Sequence, residues 1–155
     1  MLREGPGALG DGVLCEGLIA ERWLLNALAV VISKPKLVEG LFSVTGQESS
    51  SRYCVRVFEG SSWRNIFIDD RVPVSPVHLP LCCHTSSVVE SWPMLLSKAI
   101  AKYLGSYGQT GRCAERGDCT EQALRWFTGG HVIKRATADM SWVTDETACK
   151  CFLFS

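Results

Sequence analysis

The stretch ERWLLNALAVVI, residues 21–32, decides how the rest of the chain is interpreted. Its apolar residues recur at spacings of three and four, the period of one face of an α-helix. This stripe consists of Trp23, Leu24, Ala27, Leu28, Val31 and Ile32. Because proline cannot continue a helix, Pro35 sets its limit. We therefore predict an amphipathic helix over 21–32 and a second, short helix over 36–42.

A β-hairpin is predicted next along the chain. Side chains alternate over 53–58 and again over 63–68, as they do in half-buried strands. Residues 59–62, which include Gly60, form the predicted turn. The polar stretch 43–51 in front of the hairpin is predicted to be a loop.

The second strong helix signal covers residues 91–104. Pro93 is tolerated in a first turn, and Gly105 is a suitable stop. Its buried face is expected to hold Trp92, Leu95, Leu96, Ala99, Ile100 and Tyr103. A polar loop is predicted over 109–118, then a third helix over 120–127 that is capped by Thr120 and ended by a double glycine. The predicted class is α+β, with helices packed on a small antiparallel hairpin.

Composition limits the classes of protein to which the chain can belong. The length of 155 residues fits one domain. Sixteen basic and sixteen acidic residues cancel, which argues against a nucleic-acid binder, since these usually carry a basic excess. The chain contains no apolar run near the roughly 20 residues that a membrane-spanning helix needs, and residues 1–12 do not resemble a secretory signal. An intracellular, cytoplasmic protein is expected.

Eight cysteines raise the question of disulfides or metal. Free thiols are expected, because disulfide frameworks belong to small secreted chains. A zinc site is the alternative. Its possible ligands are His78, Cys82, Cys83, His84, Cys149 and Cys151. These residues lack the paired spacing of zinc ribbons and fingers, so no metal site is predicted from them.

Several blocks of sequence, in order, resemble the calpain family. Residues 16–29, EGLIAERWLLNALA, resemble Q-G-x-L-G-D-C-W-[FL]-L-[SA]-A-[IL]-A. Residues 68–73, IDDRVP, resemble V-D-D-x-L-P, and residues 90–102, ESWPMLLSKAIAK, resemble E-x-W-x-x-L-L-E-K-A-Y-A-K. GSY at 105–107 and FTGG at 127–130 resemble G-S-Y and [LF]-T-G-G. One block would be weak support, but the set covers about residues 15–130 in family order.

The resemblance implies a specific fold and activity. Calpains are intracellular, calcium-dependent cysteine endopeptidases with a papain-like core of two lobes. Residues 13–130 would form the first lobe, which carries the nucleophilic cysteine at a helix start and a glutamine that donates to the oxyanion. Residues 1–12 would be a flexible N-terminal segment. Residues 131–155 would be the start of the second lobe or a non-native tail, so the lobe with the histidine and asparagine is expected to be largely absent.

The chain departs from the family pattern where the chemistry should lie. Arg22 stands at the nucleophile position, and arginine keeps its proton. Glu16 stands at the oxyanion position, where a carboxylate has no N–H to donate. Ala20 and Glu21 replace the glycine and aspartate before the nucleophile. Cys15, seven residues upstream of Arg22, is a poor substitute.

Two further acidic positions are candidates for a calcium site or for acid/base chemistry. Glu90 matches a family position that contributes to a calcium site, which makes it the calcium candidate, although Val13 falls near the place of the matching aspartate. Asp69 and Asp70 could be an acid/base pair. Adjacent aspartates at a strand end more often form turn hydrogen bonds and pair with a neighbour such as Arg71.

Three functions are therefore open. The first is an inactive calpain-like pseudoprotease or fragment with an interaction or regulatory role, which acts on a protein partner or substrate. The second is a calcium-dependent cysteine protease whose sequence is truncated or misread. The third is a cysteine-rich metal-binding module. Self-association is also predicted, because the apolar run 151–154 has no evident partner.

Overall fold

The computed structural model describes residues 12–43, 52–87, 90–113, 115 and 119–133. Its elements, in chain order, are β1 (Leu14–Cys15), α1 (Arg22–Val31), α2 (Pro35–Leu41), β2 (Phe42–Ser43), β3 (Arg52–Glu59), β4 (Ser62–Asp69), β5 (His84–Thr85), α3 (Trp92–Leu104), α4 (Tyr107–Cys113) and α5 (Cys119–Thr128). Helices and small antiparallel sheets together confirm the predicted α+β class.

Helix α1 follows its predicted stripe. Five of the six stripe residues are buried, and Ile32, just past the helix end, is half-buried. Helix α2 begins at Pro35 itself, where the missing N–H of proline has no helical partner to lose. The proline therefore ends one helix and starts the next.

The predicted hairpin is confirmed. Strands β3 and β4 pair over their whole length, and Tyr53↔Ile68 and Val55↔Ile66 lie on one face of the sheet. Gly60 has φ 67° at the first turn position, a conformation that glycine adopts without strain. Strand β2 adds to the other edge of β3, so Ser43 is a strand residue rather than part of the predicted loop. The remainder of that loop, 44–51, lies outside the described residues.

Helix α3 packs against the hairpin and is fixed to it by lysines. The Lys102 ammonium donates to the Phe67 carbonyl at 2.6 Å, and Lys98 donates to Asp69 and to the Arg71 carbonyl. These bonds satisfy carbonyl groups along β4 and the turn after it. The helix ends as predicted at Gly105, which has φ 103°.

The predicted loop over 109–118 is wrong for its first part, because residues 107–113 form α4. The Ser106 hydroxyl accepts a hydrogen bond from the Gln109 N–H at 3.2 Å, which is N-cap geometry. Thr110 is fully buried. Packing and this cap outweigh the poor helix propensity of the two glycines in the segment. The sequence does contain one signal for this helix, namely Ser106, a residue type that commonly caps a helix N-terminus.

Helix α5 begins one residue before the predicted cap, so Thr120 lies inside the helix and is not its N-cap. Gly129, with φ 67°, ends the helix as predicted. Trp126 packs edge-on against Trp23, with ring centroids 6.2 Å apart. This contact joins α5 to α1 within one hydrophobic core.

None of the described helices combines the length and the apolar character needed to cross a bilayer. The predicted boundaries of the domain stay predictions, since residues 1–11 and 134–155 lie outside the described part of the chain.

Candidate site at the start of helix α1

The segment before α1 is fixed by backbone contacts with β5 and with the residues just before it. Strands β1 and β5 pair with Cys15 opposite His84, and the Ile19 N–H donates to the Leu81 carbonyl at 2.8 Å. Gly17 packs so closely that an added Cβ would lie 2.3 Å from that same carbonyl oxygen. Only glycine fits there, and the close contact fixes the residues on either side of it.

The structure brings the two predicted site residues together. Arg22 is the first residue of α1, and its Nη2 and Nε donate to Glu16 Oε2 at 2.8 and 3.2 Å. The Arg22 side chain is 76% exposed and that of Glu16 is 31% exposed. The hydrogen bond to Glu16 raises the pKa of Arg22 above its already high ordinary value. The position therefore carries a fixed positive charge, neutralised by its neighbour.

The adjacent residue, Glu21, is fully buried. The Ser97 hydroxyl donates at 2.9 Å from each carboxylate oxygen, and the Cys83 N–H donates to Oε2 at 3.1 Å. Burial raises the pKa of Glu21, while the hydrogen bonds from Cys83, Ser97 and Thr110 act in the opposite direction. One carboxylate thus connects α1, α3, α4 and the segment before β5.

Helix α4 also contacts the start of α1. The Trp23 indole N–H donates to the Thr110 carbonyl at 3.0 Å. Sequence reasoning missed this cluster. The signal was present, because Glu21 lies three and seven residues before Leu24 and Leu28 on the buried stripe of α1.

The described cysteines do not supply a nucleophile at the start of α1. Burial raises the pKa of the Cys82 thiol to about 11 and that of Cys83 well above its ordinary value. Cys15 lies in β1, where its thiol donates to the Val13 carbonyl at 3.4 Å. These three residues, Cys54 and Cys113 are free cysteines in the structure.

The calcium candidate Glu90 is 4% exposed, and its Oε2 has no hydrogen-bond partner among the described residues. A Cβ on Gly12 would lie 3.0 Å from that oxygen, so the carboxylate faces the Gly12 backbone. Val13, the next residue along the chain, is 68% exposed. In the described part of the chain no group of three His, Cys, Asp or Glu side chains could hold a metal ion. Calcium takes about six to eight oxygen ligands. One orphaned carboxylate oxygen does not fit that requirement.

Asp69 has a structural role. Its Oδ1 accepts the Arg71 N–H at 2.8 Å and a hydrogen bond from Lys98. The Lys98 bond is the largest cause that lowers the pKa of Asp69. This arrangement agrees with the turn interpretation for Asp69, although its ion pair is with Lys98 and Arg71 contributes a backbone N–H.

A family model described as calpain family cysteine protease matches residues 10–148. The chain belongs to the calpain family. It is 28% identical to the calpain-1 catalytic subunit of Mus musculus over 151 residues, which cover 90% of this chain and 20% of the mouse protein. It is 34% identical to calpain clp-1 of Caenorhabditis elegans over 120 residues, 74% of this chain and 14% of the worm protein.

A plant relative extends the comparison. The chain is 28% identical to the calpain-type cysteine protease ADL1 of Oryza sativa over 124 residues, 80% of this chain and 6% of the rice protein. This calpain-family chain therefore spans a fifth or less of the length of each of these relatives.

Proposed function

We propose that this chain is a non-catalytic member of the calpain family. The observation that carries the proposal is the ion pair between Glu16 and Arg22, which stands where the family pattern has its oxyanion donor and its nucleophile. A guanidinium that keeps its proton cannot attack a carbonyl carbon. A carboxylate offers no proton to a developing oxyanion and repels it. Both functions of the family site are lost together.

The nearby thiols do not replace the lost nucleophile. Cys82 and Cys83 are buried and held in the thiol form, whereas the reactive species of cysteine is the thiolate. Cys15 is part of a strand, directed at a backbone carbonyl, and so lacks the helix start that favours a thiolate in the family.

We further propose that the face around the ion pair binds protein without cleaving it, in an interaction or regulatory role inside the cell. Leu18, between Glu16 and Arg22 in sequence, is 71% exposed. The segment that leads to Leu81, whose carbonyl accepts a hydrogen bond from the Ile19 N–H, carries two further exposed apolar side chains, Val77 at 72% and Leu79 at 57%. Exposed apolar side chains beside a polar rim are typical of protein interaction sites. A polypeptide is the ligand class that the name of the family implies.

The experiment uses casein, a protein without stable structure, as the probe. We expect the purified chain to bind casein and to leave its mass unchanged, in reductant and with calcium. Leu18→Asp should weaken binding about tenfold or more, because it places a charge on the proposed face. Val30→Asp, at a position 56% exposed in the C-terminal half of α1, is the matched control and should bind as the parent does.

Two results would overturn these proposals separately. Equal casein binding by both variants, or none by the parent, removes the binding proposal and leaves the inactivity proposal intact. Casein cleavage that a thiol-alkylating reagent abolishes removes the inactivity proposal and shows that a cysteine of this chain acts as the nucleophile.

The predicted self-association remains a prediction, because residues 151–154 lie outside the described part of the chain. Sedimentation over a wide concentration range measures it directly. A weight-average mass that stays at the monomer value throughout would contradict it.

A further inference from the structure

We propose that Cys113 and Cys119 form a redox pair, which low-molecular-weight disulfides of the glutathione class convert to an intramolecular disulfide. The pair lies at the junction of α4 and α5, away from Glu16 and Arg22 in sequence. The proposal does not rest on the proposed function, because none of the observations behind it involves the ion pair between Glu16 and Arg22.

The geometry brings the two cysteines together. Cys113 is the last residue of α4 and Cys119 is the first residue of α5. The Cys119 thiol donates to the Cys113 carbonyl with a sulfur–oxygen distance of 2.9 Å. The Cys119 sulfur thus already touches the backbone that carries the other thiol. Disulfides need Cα atoms about 4.4–6.8 Å apart, a separation that this contact allows.

Both cysteine-bearing helices are held in place by the core. Helix α4 is anchored by the Trp23 bond to the Thr110 carbonyl. Helix α5 is anchored through Trp126, whose ring packs on Trp23. Folding therefore keeps both cysteine-bearing helix ends at one place, which raises the effective concentration of one thiol near the other.

The two thiols differ in access. Cys113 is 8% exposed, whereas Cys119 is half-buried at the edge of the core. An oxidant in solution reaches Cys119 first, and Cys113 is then the resolving thiol. Cys54, Cys82 and Cys83 are buried at 2%, 0% and 0% exposure, which protects them from the same oxidant.

The reaction balances in two exchange steps. The Cys119 sulfur, as thiolate, attacks one sulfur of glutathione disulfide, which gives a mixed disulfide and releases one glutathione thiolate that takes up a proton. The Cys113 sulfur, after losing its proton, attacks Cys119 Sγ and releases the second glutathione. The two cysteines lose two electrons and two protons, and one glutathione disulfide is reduced to two glutathione molecules.

The disulfide would also stabilise the part of α4 that precedes Cys113. It closes a short loop between two helices and so restricts the unfolded chain. Thr110, three residues before Cys113, is the residue that contacts Trp23 and Glu21. Oxidation should therefore slow amide hydrogen exchange in α4 and raise the melting temperature by about 5 °C.

The test follows the bond by mass spectrometry in the full chain. The protein is equilibrated in glutathione buffers of rising oxidised fraction, alkylated and digested with trypsin. Trypsin cuts after Arg112, Arg116 and Arg125, so the pair falls in separate peptides, 113–116 and 117–125. These peptides remain joined only by a disulfide. Two variants, Cys113→Ser and Cys119→Ser, and the control Cys54→Ser are treated in parallel.

We expect the joined peptides to become the major form, with the melting temperature rising in the parent and in Cys54→Ser but in neither variant of the pair. In Cys113→Ser, glutathione should instead stay attached at Cys119. The proposal is overturned if both peptides are recovered alkylated in buffers that oxidise other cysteines, or if glutathione stays on Cys119 of the parent. Joined peptides without a rise in melting temperature would overturn the stabilising effect of the bond on α4.

Discussion

Glu16 and Glu21 lie five residues apart at the start of one helix and behave in opposite ways. Glu16 is at the surface and is neutralised by the Arg22 guanidinium. Glu21 is fully buried and receives hydrogen bonds from uncharged groups of Ser97 and Cys83. The start of α1 in this chain therefore has two parts, an exposed ion pair and a buried, hydrogen-bonded carboxylate. We propose that the exposed pair replaces the reactive residues of the family pattern, while Glu21, which itself stands in place of an aspartate, serves as a buried hydrogen-bond acceptor.

The two environments predict different consequences of substitution. Exposed ion pairs are screened by water and contribute little to stability. A buried acceptor that satisfies several donors is costly to remove, because each donor left without a partner keeps its desolvation cost. The comparison can thus be tested by removing each carboxylate in turn.

The largest effect is expected from Glu21→Ala. It leaves the Cys83 N–H and the Ser97 hydroxyl without their acceptor and opens a cavity, so the free energy of unfolding should fall by roughly 3 kcal/mol. Glu16→Ala is the matched control and should move the melting temperature by less than about 2 °C. Urea unfolding of both variants measures the difference. Equal losses would show that the two carboxylates are not distinct in role.

A pH series sharpens the same contrast. Burial raises the pKa of Glu21 above its ordinary value of 4.5, so the folded protein binds this proton more tightly than the unfolded chain does. The resulting stabilisation is complete below pH 4.5 and is lost as pH rises through the raised pKa. Glu21→Gln stays neutral and should gain stability relative to the parent over that rise. A constant difference across pH would mean that Glu21 is not perturbed by burial.

The sequence predicts some parts of this molecule much better than others. Helices α1 and α3 and the β3–β4 hairpin follow from periodicity, because each buries one continuous apolar face. Helix α4 does not, since its stability comes from Thr110 and a serine cap rather than from an apolar stripe. Between Glu16 and Arg22 in sequence, Gly17 packs closely on Leu81, which is a tertiary contact that local sequence does not encode.

The reactivity of a thiol introduced at position 22 measures the electrostatic field at the start of α1. Arg22→Cys places a sulfur beside the Glu16 carboxylate, which disfavours the thiolate, whereas the helix N-terminus favours it. Adding Glu16→Gln should speed alkylation at position 22 about threefold or more near neutral pH. Peptide-resolved mass spectrometry measures the rate. Identical rates in the single and double variants would show that Glu16 does not act on that position.

Calcium should have the smallest effect. The described residues offer the cation only one orphaned carboxylate oxygen, that of Glu90, and Val13 stands near the place of the matching aspartate. Millimolar calcium should therefore shift the melting temperature by less than about 1 °C. A rise of several degrees that Glu90→Gln abolishes would instead establish a calcium site at this residue.

The most direct test of the proposed loss of catalysis is turnover of a fluorogenic calpain-type peptide by the purified chain, in reductant, with and without calcium. We predict no hydrolysis above the buffer blank, because the ion pair between Glu16 and Arg22 provides neither nucleophile nor oxyanion donor. Iodoacetamide-treated protein and Cys15→Ser are measured beside it. Hydrolysis that alkylation abolishes would contradict the proposal, and its loss in Cys15→Ser would identify the thiol responsible.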